Sequence, residues 1–578
     1  MQPMMKADRT TGICAIACCA LLLSACGGSD PVSTNTDPPG SSSSGSSTSS
    51  STSSSTSGGG STSSSGSSSG SSATGTDVLT YHYDNQRTGQ NLTESVLTPA
   101  NVKSASFGLI RTLATDSVVD ATPLVATNVT IGAAAHNVVY VATENDSVYA
   151  YDADSGALLL HVSVLPTGET PSDERSCNQV EPAIGITSTP VIDRSQGPHG
   201  TLYVVAMSKD SSGSYYQRLH ALDLTTLADR VPAVAISATA AGSGSGSQSG
   251  TLTFDPAQYK ERGALLAVNG QIYTAWASHC DDPTYGGWII SFNEATLART
   301  AALSYTPNGS QGAIWNAGGL AADTSGSIYG MAGNGTFDTN LTSAGFPTGG
   351  DYGNAVMRLT ASGSTLSVAD YYTQANTVSE SNQDVDLGSG SPALLPDQTD
   401  ATGKTRQLFV GAGKDGNLLL LDRTNLGKFN GSTDTAYQRL ASALPNGLYS
   451  AIAYFNGAIY VAPVGGSLKA FTLTDALLSA SPTSQSSATF GYPGTSPSIS
   501  ANASSNGIVW AINSSPGNPA VLHAYDPADL SVEYYNSTQA AGNRDAFGNG
   551  QKYITPVVAN GKVFVGTPAG VAVFGLLQ

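Results

Sequence analysis

The chain has few charged residues for its length of 578. Asp, Glu, Lys and Arg together make up 11% of it, against roughly 25% in an average soluble domain. Basic residues are the scarcer kind, because 24 Lys and Arg stand against 42 Asp and Glu, which gives a net charge of −18. Such a chain offers no cationic surface to the phosphates of nucleic acid or to an anionic lipid surface. We therefore do not expect nucleic acid as a partner.

Motifs that would identify a reaction are also missing. The sequence contains no HExxH zinc motif, no CxxCH haem attachment and no CxxC pair, and no Ser/His/Asp arrangement is convincing. The segment "GAGKDG" (residues 411–416) is rich in glycine, but it joins two predicted strands and precedes no helix, so it is a poor phosphate loop. The sequence therefore points to a fold more clearly than to a reaction.

The apolar run near the N-terminus, residues 13–23, is too short to span a bilayer in the mature protein. Lys6 and Arg9 precede it, and it ends in "LLLSACGG", which resembles a bacterial lipobox in which cleavage leaves Cys26 free for lipidation. We interpret residues 1–25 as a lipoprotein signal peptide; an ordinary secretory signal is the alternative. Gly27 after the cysteine resembles the pattern that sorts lipoproteins to the outer membrane, so we expect a lipid anchor there, on either the periplasmic or the surface side.

The segment that follows, residues 26–76, is almost entirely Ser, Thr and Gly. It has too little apolar surface to offset the entropy of ordering, which predicts a flexible tether. Of six cysteines, only Cys177 and Cys280 lie beyond the signal and the anchor. In an oxidising compartment a disulfide between them is the expected state, and a metal or redox role is the alternative.

The rest of the chain, residues 77–578, is rich in Gly (64 residues) and has 25 Tyr against 13 Phe, a composition that favours short strands and tight turns. One pattern recurs along it: an apolar segment often ending in Ser/Thr-Pro, then a strand such as "VVYVA", then a strand such as "SVYAYD". We count eight copies, whose central strands lie at residues 137–144, 201–208, 271–278, 327–334, 407–414, 458–465, 507–514 and 562–569. No single copy can bury both of its faces, so the copies must pack against one another.

Radial packing of four-stranded sheets about an axis protects both the edges and the faces of such units. The sequence therefore predicts an all-β fold, an eight-bladed β-propeller over residues 77–578, with a seven-bladed propeller as the alternative. Closure requires the chain ends to share a blade, and "FGLIRTL" (residues 107–113) is the expected N-terminal strand of the last blade.

Two repeat segments, "YVATENDSVYAYDADSGALL" (residues 140–159) and "VGAGKDGNLLLLD" (residues 410–422), resemble the repeats of pyrroloquinoline-quinone (PQQ) dehydrogenases. They are equally similar to those of the outer-membrane lipoprotein that assists β-barrel assembly, which has eight blades and no cofactor. The resemblance covers roughly residues 100–578. It is specific for the fold and weak for the activity.

In such a propeller, the loops before each first strand and after each second strand share one face, where ligands of related propellers bind. Cys177 and Cys280 both fall on that face, in neighbouring blades, as a disulfide requires. Three of the scarce cations, Lys260, Arg262 and Lys414, also fall there, and cations near an axis need carboxylate partners or an anionic ligand. The alternative is that Lys260 or Arg262 pairs with Glu181, Glu261 or Asp281 and holds loops together.

Two other residues of this face are candidates for function. Trp315 could stack on a planar ligand or sugar ring, or pack in the core. His279 is a candidate general base, although a histidine that adjoins a disulfide is more often structural.

Three functions follow from these features. The first is a binding or scaffold lipoprotein of the cell envelope, whose axial mouth holds an anionic ligand, an envelope protein or a glycan. The second is a PQQ dehydrogenase of alcohols or sugars, in which Lys260, Arg262, Lys414 and Trp315 hold the quinone and Glu181, Asn334 and Asp338 bind Ca²⁺. The missing adjacent cysteine pair, the lost Trp-bearing repeat consensus and the missing haem domain count against it. The third is a lyase on acidic polysaccharide, with His279 or Tyr285 moving the proton.

Overall fold

The computed structural model describes residues 75–281 and 284–578 of the chain. The predicted signal peptide, Cys26 and all but the last two residues of the predicted tether lie outside the described residues. In the described part, no helix is long and apolar enough to cross a membrane.

The described residues form eight consecutive β-sheets, which we number as blades 1 to 8 in chain order, and this confirms the eight-bladed prediction. Blades 1 to 4 contain the following main strands: Leu124–Ile131, Ala134–Ala142, Ser147–Asp152 and Leu158–Ser163; Val191–Asp193, Thr201–Asp210, Tyr215–Asp223 and Val234–Ala235; Leu266–Val268, Gln271–Ser278, Trp288–Asn293 and Arg299–Ser304; Ala321–Ala322, Ile328–Met331, Val356–Ser362 and Thr365–Tyr372.

The second half of the propeller repeats this arrangement. Blades 5 to 8 contain the following main strands: Ala393–Leu394, Leu408–Ala412, Leu418–Asp422 and Gln438–Leu440; Ala453–Phe455, Ala458–Val461, Gly466–Thr474, Leu477–Leu478 and Ser484–Phe490; Ser498–Asn502, Ser505–Asn513, Val521–Tyr525 and Glu533–Asn536; Val557–Ala559, Lys562–Thr567, Gly570–Leu576 and the N-terminal strand Phe107–Ala114.

The remaining elements lie in the connections. They are the strands Gln90–Asn91, Glu169–Asp173, Ala183–Ile184, Thr239–Ala241, Thr251–Thr253, Tyr259–Glu261, Gln398–Thr399 and Thr405–Arg406, the α-helix Thr377–Asn382, and the 3₁₀ turns Leu387–Ser389 and Ala541–Asn543.

Closure of the ring follows the prediction. Phe107–Ala114 pairs antiparallel with Gly570–Leu576, so the two ends of the propeller share blade 8. Side chains on the second strand of blade 1 alternate between its two neighbours, as a pleated strand requires. Val138 and Tyr140 pack in a cluster with blade 2, whereas Val139 and Val141 pack in a cluster with blade 8.

Residues 78–93, which we call the axial strap, were not assigned any role from the sequence. The strap circles the axis and bonds to the innermost strand of each blade in turn. The bonds join Val78 to Val125, Leu79 to Ile192, Asn85 to Ala267 and Ala322, Gln86 to Leu394, Thr88 to Tyr454, Gly89 to Ile499, and Asn91 to Val558, at 2.7–3.0 Å. Innermost strands would otherwise present unpaired backbone groups to the axial channel, and buried unpaired groups are costly.

Arg87 anchors the strap. Its guanidinium is fully buried and donates to the carbonyl oxygens of Leu320 (3.0 Å), Leu265 (3.1 Å) and Tyr81 (3.0 Å), and to the hydroxyl of Thr80 (2.7 Å). Burial lowers the pKa of Arg87 to about 10, so the side chain is charged at neutral pH. One side chain thus ties the strap to blades 3 and 4.

We expect Arg87→Met to lower the free energy of unfolding by about 3 kcal/mol, because it leaves several buried acceptors without a donor, each costing about 1–3 kcal/mol. The measurement is the urea midpoint of the purified protein. The matched control is Arg299→Met, which removes an exposed guanidinium bonded to a single carbonyl oxygen and should change the midpoint little. Equal midpoint shifts in the two variants would contradict this role of Arg87.

Candidate axial binding site

Two adjoining cavities lie at the mouth of the axis, on the face that the loop pattern predicts. Counted together with the open solvent at their mouths, the inner cavity has about 460 Å³ of empty space and the outer one about 730 Å³. They share five lining residues: Gln179, Arg262, Trp315, Lys552 and Tyr553. Loops of blades 1, 2, 3, 4 and 8 contribute to the inner cavity, and Tyr81 of the axial strap lines it as well.

The disulfide between Cys177 and Cys280 is present, with a Cα–Cα distance of 5.7 Å, which confirms that prediction. It ties the loop that precedes blade 2 to blade 3. From this loop Gln179 lines both cavities, and the carbonyl oxygen of Asn178 accepts a hydrogen bond from Lys552 Nζ of blade 8 at 3.2 Å. The disulfide therefore fixes a loop that forms part of the cavity wall.

Of the three predicted cations, Arg262 and Lys414 line the outer cavity. Lys414 forms ion pairs with two carboxylates: its Nζ lies 2.9 Å from Oδ2 of both Asp384 and Asp386. Burial acts to lower the pKa of Lys414, but Asp386 and Asp384 outweigh it and the pKa is raised. Its charge is already neutralised, which makes it a weaker candidate for binding an anion.

Lys260 lines neither cavity. It is fully buried on the short strand Tyr259–Glu261, and its Nζ donates to Cys177 Sγ at 3.4 Å. Burial and the charge of Arg262 lower the pKa of Lys260 to about 7. Pairing of Lys260 with Glu181, Glu261 or Asp281 is not seen among the ion pairs of the described residues.

Arg262 differs from both lysines. Its guanidinium lies 4.7 Å from the centre of the Tyr553 ring and donates to Gln179 Oε1 at 3.3 Å. Within residues 75–281 and 284–578, neither Arg262 nor Lys552 has a carboxylate at ion-pair distance. The axial cavities are therefore lined by two cations without ion-pair partners. Lys552 was missed from the sequence, although it precedes the first strand of blade 8 and so obeys the rule that selected Arg262.

Trp315 packs partly against the core between blades 2 and 3, as the core-packing alternative expects. It is partly exposed, lines both cavities, and donates from Nε1 to Asp386 at 3.1 Å. Its ring begins an aromatic arc of four residues, Trp315, Tyr449, Tyr492 and Tyr553, contributed by blades 4, 6, 7 and 8. The ring centres of Trp315 and Tyr449 lie 5.9 Å apart, and those of Tyr449 and Tyr492 lie 5.6 Å apart. The hydroxyl oxygens of Tyr492 and Tyr553 are 3.0 Å apart.

The proton-transfer candidates lie outside both cavity linings. His279 is buried beside the disulfide, and burial with the charges of Lys260 and Arg175 lowers the pKa of its imidazole to about 4. Tyr285 is 1% exposed, packs in the core, and donates to Asp281 at 3.3 Å. Neither residue is placed to act on a ligand in the axial cavities.

The predicted calcium ligands are not brought together. Asn334 donates from its side chain to Asp384 at 3.0 Å, Asp338 accepts hydrogen bonds from Asn340, Thr348 and Gly349 of its own loop, and Glu181 is exposed. Across the described residues, no group of three or more His, Cys, Asp or Glu side chains could hold a metal ion. The ammonium of Lys414 also lies between the two carboxylates that would be the nearest acidic ligands to Asn334. These residues do not fit a calcium ion.

The chain shares its fold with known proteins. No family model and no curated protein matches the chain. Among solved structures, the quinohemoprotein alcohol dehydrogenase of Comamonas testosteroni superposes with a TM-score of 0.57 at 15% identity, covering 86% of this chain and 80% of that chain. For the quinohemoprotein alcohol dehydrogenase ADHIIG of Pseudomonas putida HK5 the TM-score is 0.55 at 14% identity, with the same coverage.

A europium-containing methanol dehydrogenase has a TM-score of 0.53 at 11% identity, covering 86% of this chain and 98% of that chain. Identities this low establish the shared fold and leave activity open. The chain therefore has the eight-bladed propeller fold of the quinoprotein alcohol dehydrogenases.

Proposed function

We propose that this protein is an exported, lipid-anchored envelope protein whose propeller binds an anionic, ring-containing ligand in the axial cavities. The observation that carries the proposal is the pair Arg262 and Lys552, two cations at the mouth of the axis without a carboxylate partner among the described residues. A chain with 24 basic residues and a net charge of −18 has many carboxylates available to neutralise them. Unpaired, partly desolvated cations in a cavity favour an anionic ligand.

The aromatic arc supports a ring in that ligand. Trp315, Tyr449, Tyr492 and Tyr553 line the outer cavity together with the two cations. Aromatic faces bind planar rings and the apolar faces of sugars. A carboxylate on a ring, as in a uronate-containing glycan or a quinone carboxylate such as PQQ, combines both requirements.

A scaffold role fits the same geometry when the ligand is an acidic segment of an envelope protein or glycan. Anchoring through Cys26 and the Ser/Thr/Gly-rich tether would hold the propeller at a distance from the membrane. The outer membrane is the location that the Cys26–Gly27 pattern favours.

A PQQ dehydrogenase is the second candidate, and the fold shared with the quinoprotein alcohol dehydrogenases, together with Trp315 in the outer cavity, favours it. Arg262 and Lys552 suit a planar tricarboxylate, and PQQ would supply redox chemistry when bound. The predicted calcium ligands Glu181, Asn334 and Asp338 do not come together at one point, so we assign no metal-assisted step to these residues.

The anion site is tested by titrating the purified protein with two probes, PQQ and a galacturonate trimer, in a calorimeter. We expect Arg262→Gln and Lys552→Gln each to weaken binding of a probe about 10-fold or more, because a hydrogen bond to a charged group contributes about 1.5–3 kcal/mol. The control is Lys103→Gln, an exposed cation that lines neither cavity. The proposal fails if neither probe binds, or if the cavity variants bind as tightly as the control.

The two candidate functions are separated by adding Ca²⁺. We expect PQQ to raise the melting temperature without Ca²⁺, to gain nothing further from Ca²⁺, and to support no alcohol-dependent dye reduction. The physical reason is that Asn334 and Asp338 are engaged in separate hydrogen-bond networks. Dye reduction with alcohols or sugars that requires both PQQ and Ca²⁺ would instead establish the dehydrogenase.

A further inference from the structure

Two acidic side chains meet at the wall of the inner cavity. Asp120 precedes the first strand of blade 1 and lines the cavity, and Glu144 begins the turn between the second and third strands of the same blade. Glu144 is fully buried, and its Oε2 accepts hydrogen bonds from the amide of Gly185 (2.7 Å) and the hydroxyl of Thr187 (2.9 Å).

One oxygen of each carboxyl group in this pair has no donor. Glu144 Oε1 and Asp120 Oδ1 are both buried, and among the described residues no N–H or O–H group donates to either. The Glu144 amide donates to the carbonyl oxygen of Val118 at 3.0 Å, which brings Glu144 close to Asp120 in the structure. After burial, the largest influence on the pKa of each carboxyl group is the other carboxyl group. Two carboxylates cannot hydrogen bond unless one carries a proton, and a proton shared between the two oxygens satisfies both.

Electrostatics agree with a shared proton. Burial, and next the charge of Asp120, raise the pKa of Glu144 well above its usual value, and burial raises the pKa of Asp120. Glu144 is the less accessible of the two and is the member that holds the proton. The carboxylate of Asp120 then faces the cavity.

Three cations act on the pair. Lys260 acts on Glu144, whereas Arg262 and Lys552 act on Asp120, and the Gln551 side chain hydrogen bonds to Asp120. None of the three cations lies at ion-pair distance from either carboxyl within the described residues. A single negative charge on Asp120 therefore stands at the wall of a cavity that otherwise attracts anions.

We propose that Asp120 and Glu144 form a carboxyl pair that shares one proton, and that the pair takes up a second proton when a ligand carboxylate binds between Arg262 and Lys552. This rests on the proposed anion-binding function and specifies its ligand as a carboxylate that accepts a hydrogen bond from the Asp120 carboxylic acid. A hydrogen bond from O–H to a carboxylate is short and strong. The second proton also removes the one charge that would repel the ligand.

Proton uptake fixes the sign of the pH dependence. A ligand that binds the doubly protonated pair better must bind more tightly as the pH falls, until the pair is fully protonated in the free protein. By linkage, the affinity changes up to 10-fold per pH unit for each proton taken up.

The shared proton is tested without any ligand. The infrared difference spectrum between wild type and Glu144→Gln at neutral pH should contain the C=O stretch of a protonated carboxyl group. Asp120→Asn leaves the buried Glu144 protonated but changes its hydrogen-bond acceptor, so this variant should keep the band at a shifted frequency. The control Asp475→Asn alters an exposed side chain in a turn whose backbone (φ 51°) asparagine adopts readily, and it should leave this band unchanged. A Glu144→Gln difference spectrum without this band, or a band that Asp120→Asn leaves at its wild-type frequency, would overturn the shared proton.

Proton uptake is tested by calorimetry of PQQ and of the galacturonate trimer in two buffers of different ionisation enthalpy. Wild type should take up close to one proton per bound probe near neutral pH. Asp120→Asn should take up none and bind at least as tightly, because the amide is neutral and still donates. Circular dichroism verifies that the variant is folded.

The outcomes separate this inference from the proposed function. Binding without proton uptake in wild type, or uptake that persists in Asp120→Asn, overturns the inference and leaves the anion site standing. Failure of both probes to bind overturns the proposed function and the ligand-linked uptake with it, whereas the infrared comparison still decides whether the pair shares a proton.

Discussion

The propeller depends on the way its axis is filled. Eight blades arranged radially leave a channel bounded by the inner edges of eight first strands, and those edges need hydrogen-bond partners. The axial strap supplies partners to each blade in chain order, and Arg87 fixes it by donating to carbonyl oxygens of blades 3 and 4. The guanidinium has no carboxylate partner at ion-pair distance in the described residues. Its hydrogen bonds to backbone oxygens therefore offset the free-energy cost of burying the charge.

The same strap gives the cavity its inner limit. Tyr81 lines the inner cavity, stacks on His82 with ring centres 4.6 Å apart, and reaches the Thr555 hydroxyl of blade 8 at 3.3 Å. On the outer side, the loop held by the Cys177–Cys280 disulfide contributes Gln179 and contacts Lys552. The strap thus bounds the cavity on its inner side, and the disulfide-linked loop bounds it on its outer side. The residues that define its charge come from different blades and meet because the ring closes.

The sequence predicted the framework because each repeat carries its own alternating apolar pattern and turn. It also predicted the face of the site, since Arg262, Lys414 and Trp315 follow directly from the position of loops relative to strands. Two features of the structure were not predicted from the sequence. The strap has no repeat pattern, because most of its bonds to the blades run through backbone groups that any residue provides, and the side chains of Asn85, Arg87 and Asn91 add to these bonds. The pairing of Lys414 with Asp384 and Asp386, and of Asp120 with Glu144, depends on side-chain directions across sequence separations that loop position alone does not fix.

The central claim is that Arg262 and Lys552 bind a ligand carboxylate at the mouth of the axis. A crystal structure of the protein soaked with the galacturonate trimer tests it most directly. We expect a carboxylate within hydrogen-bonding distance of both cations, with a sugar ring against Trp315 or Tyr553. A ligand bound elsewhere on the propeller, with Arg262 and Lys552 left in their present contacts, would contradict it.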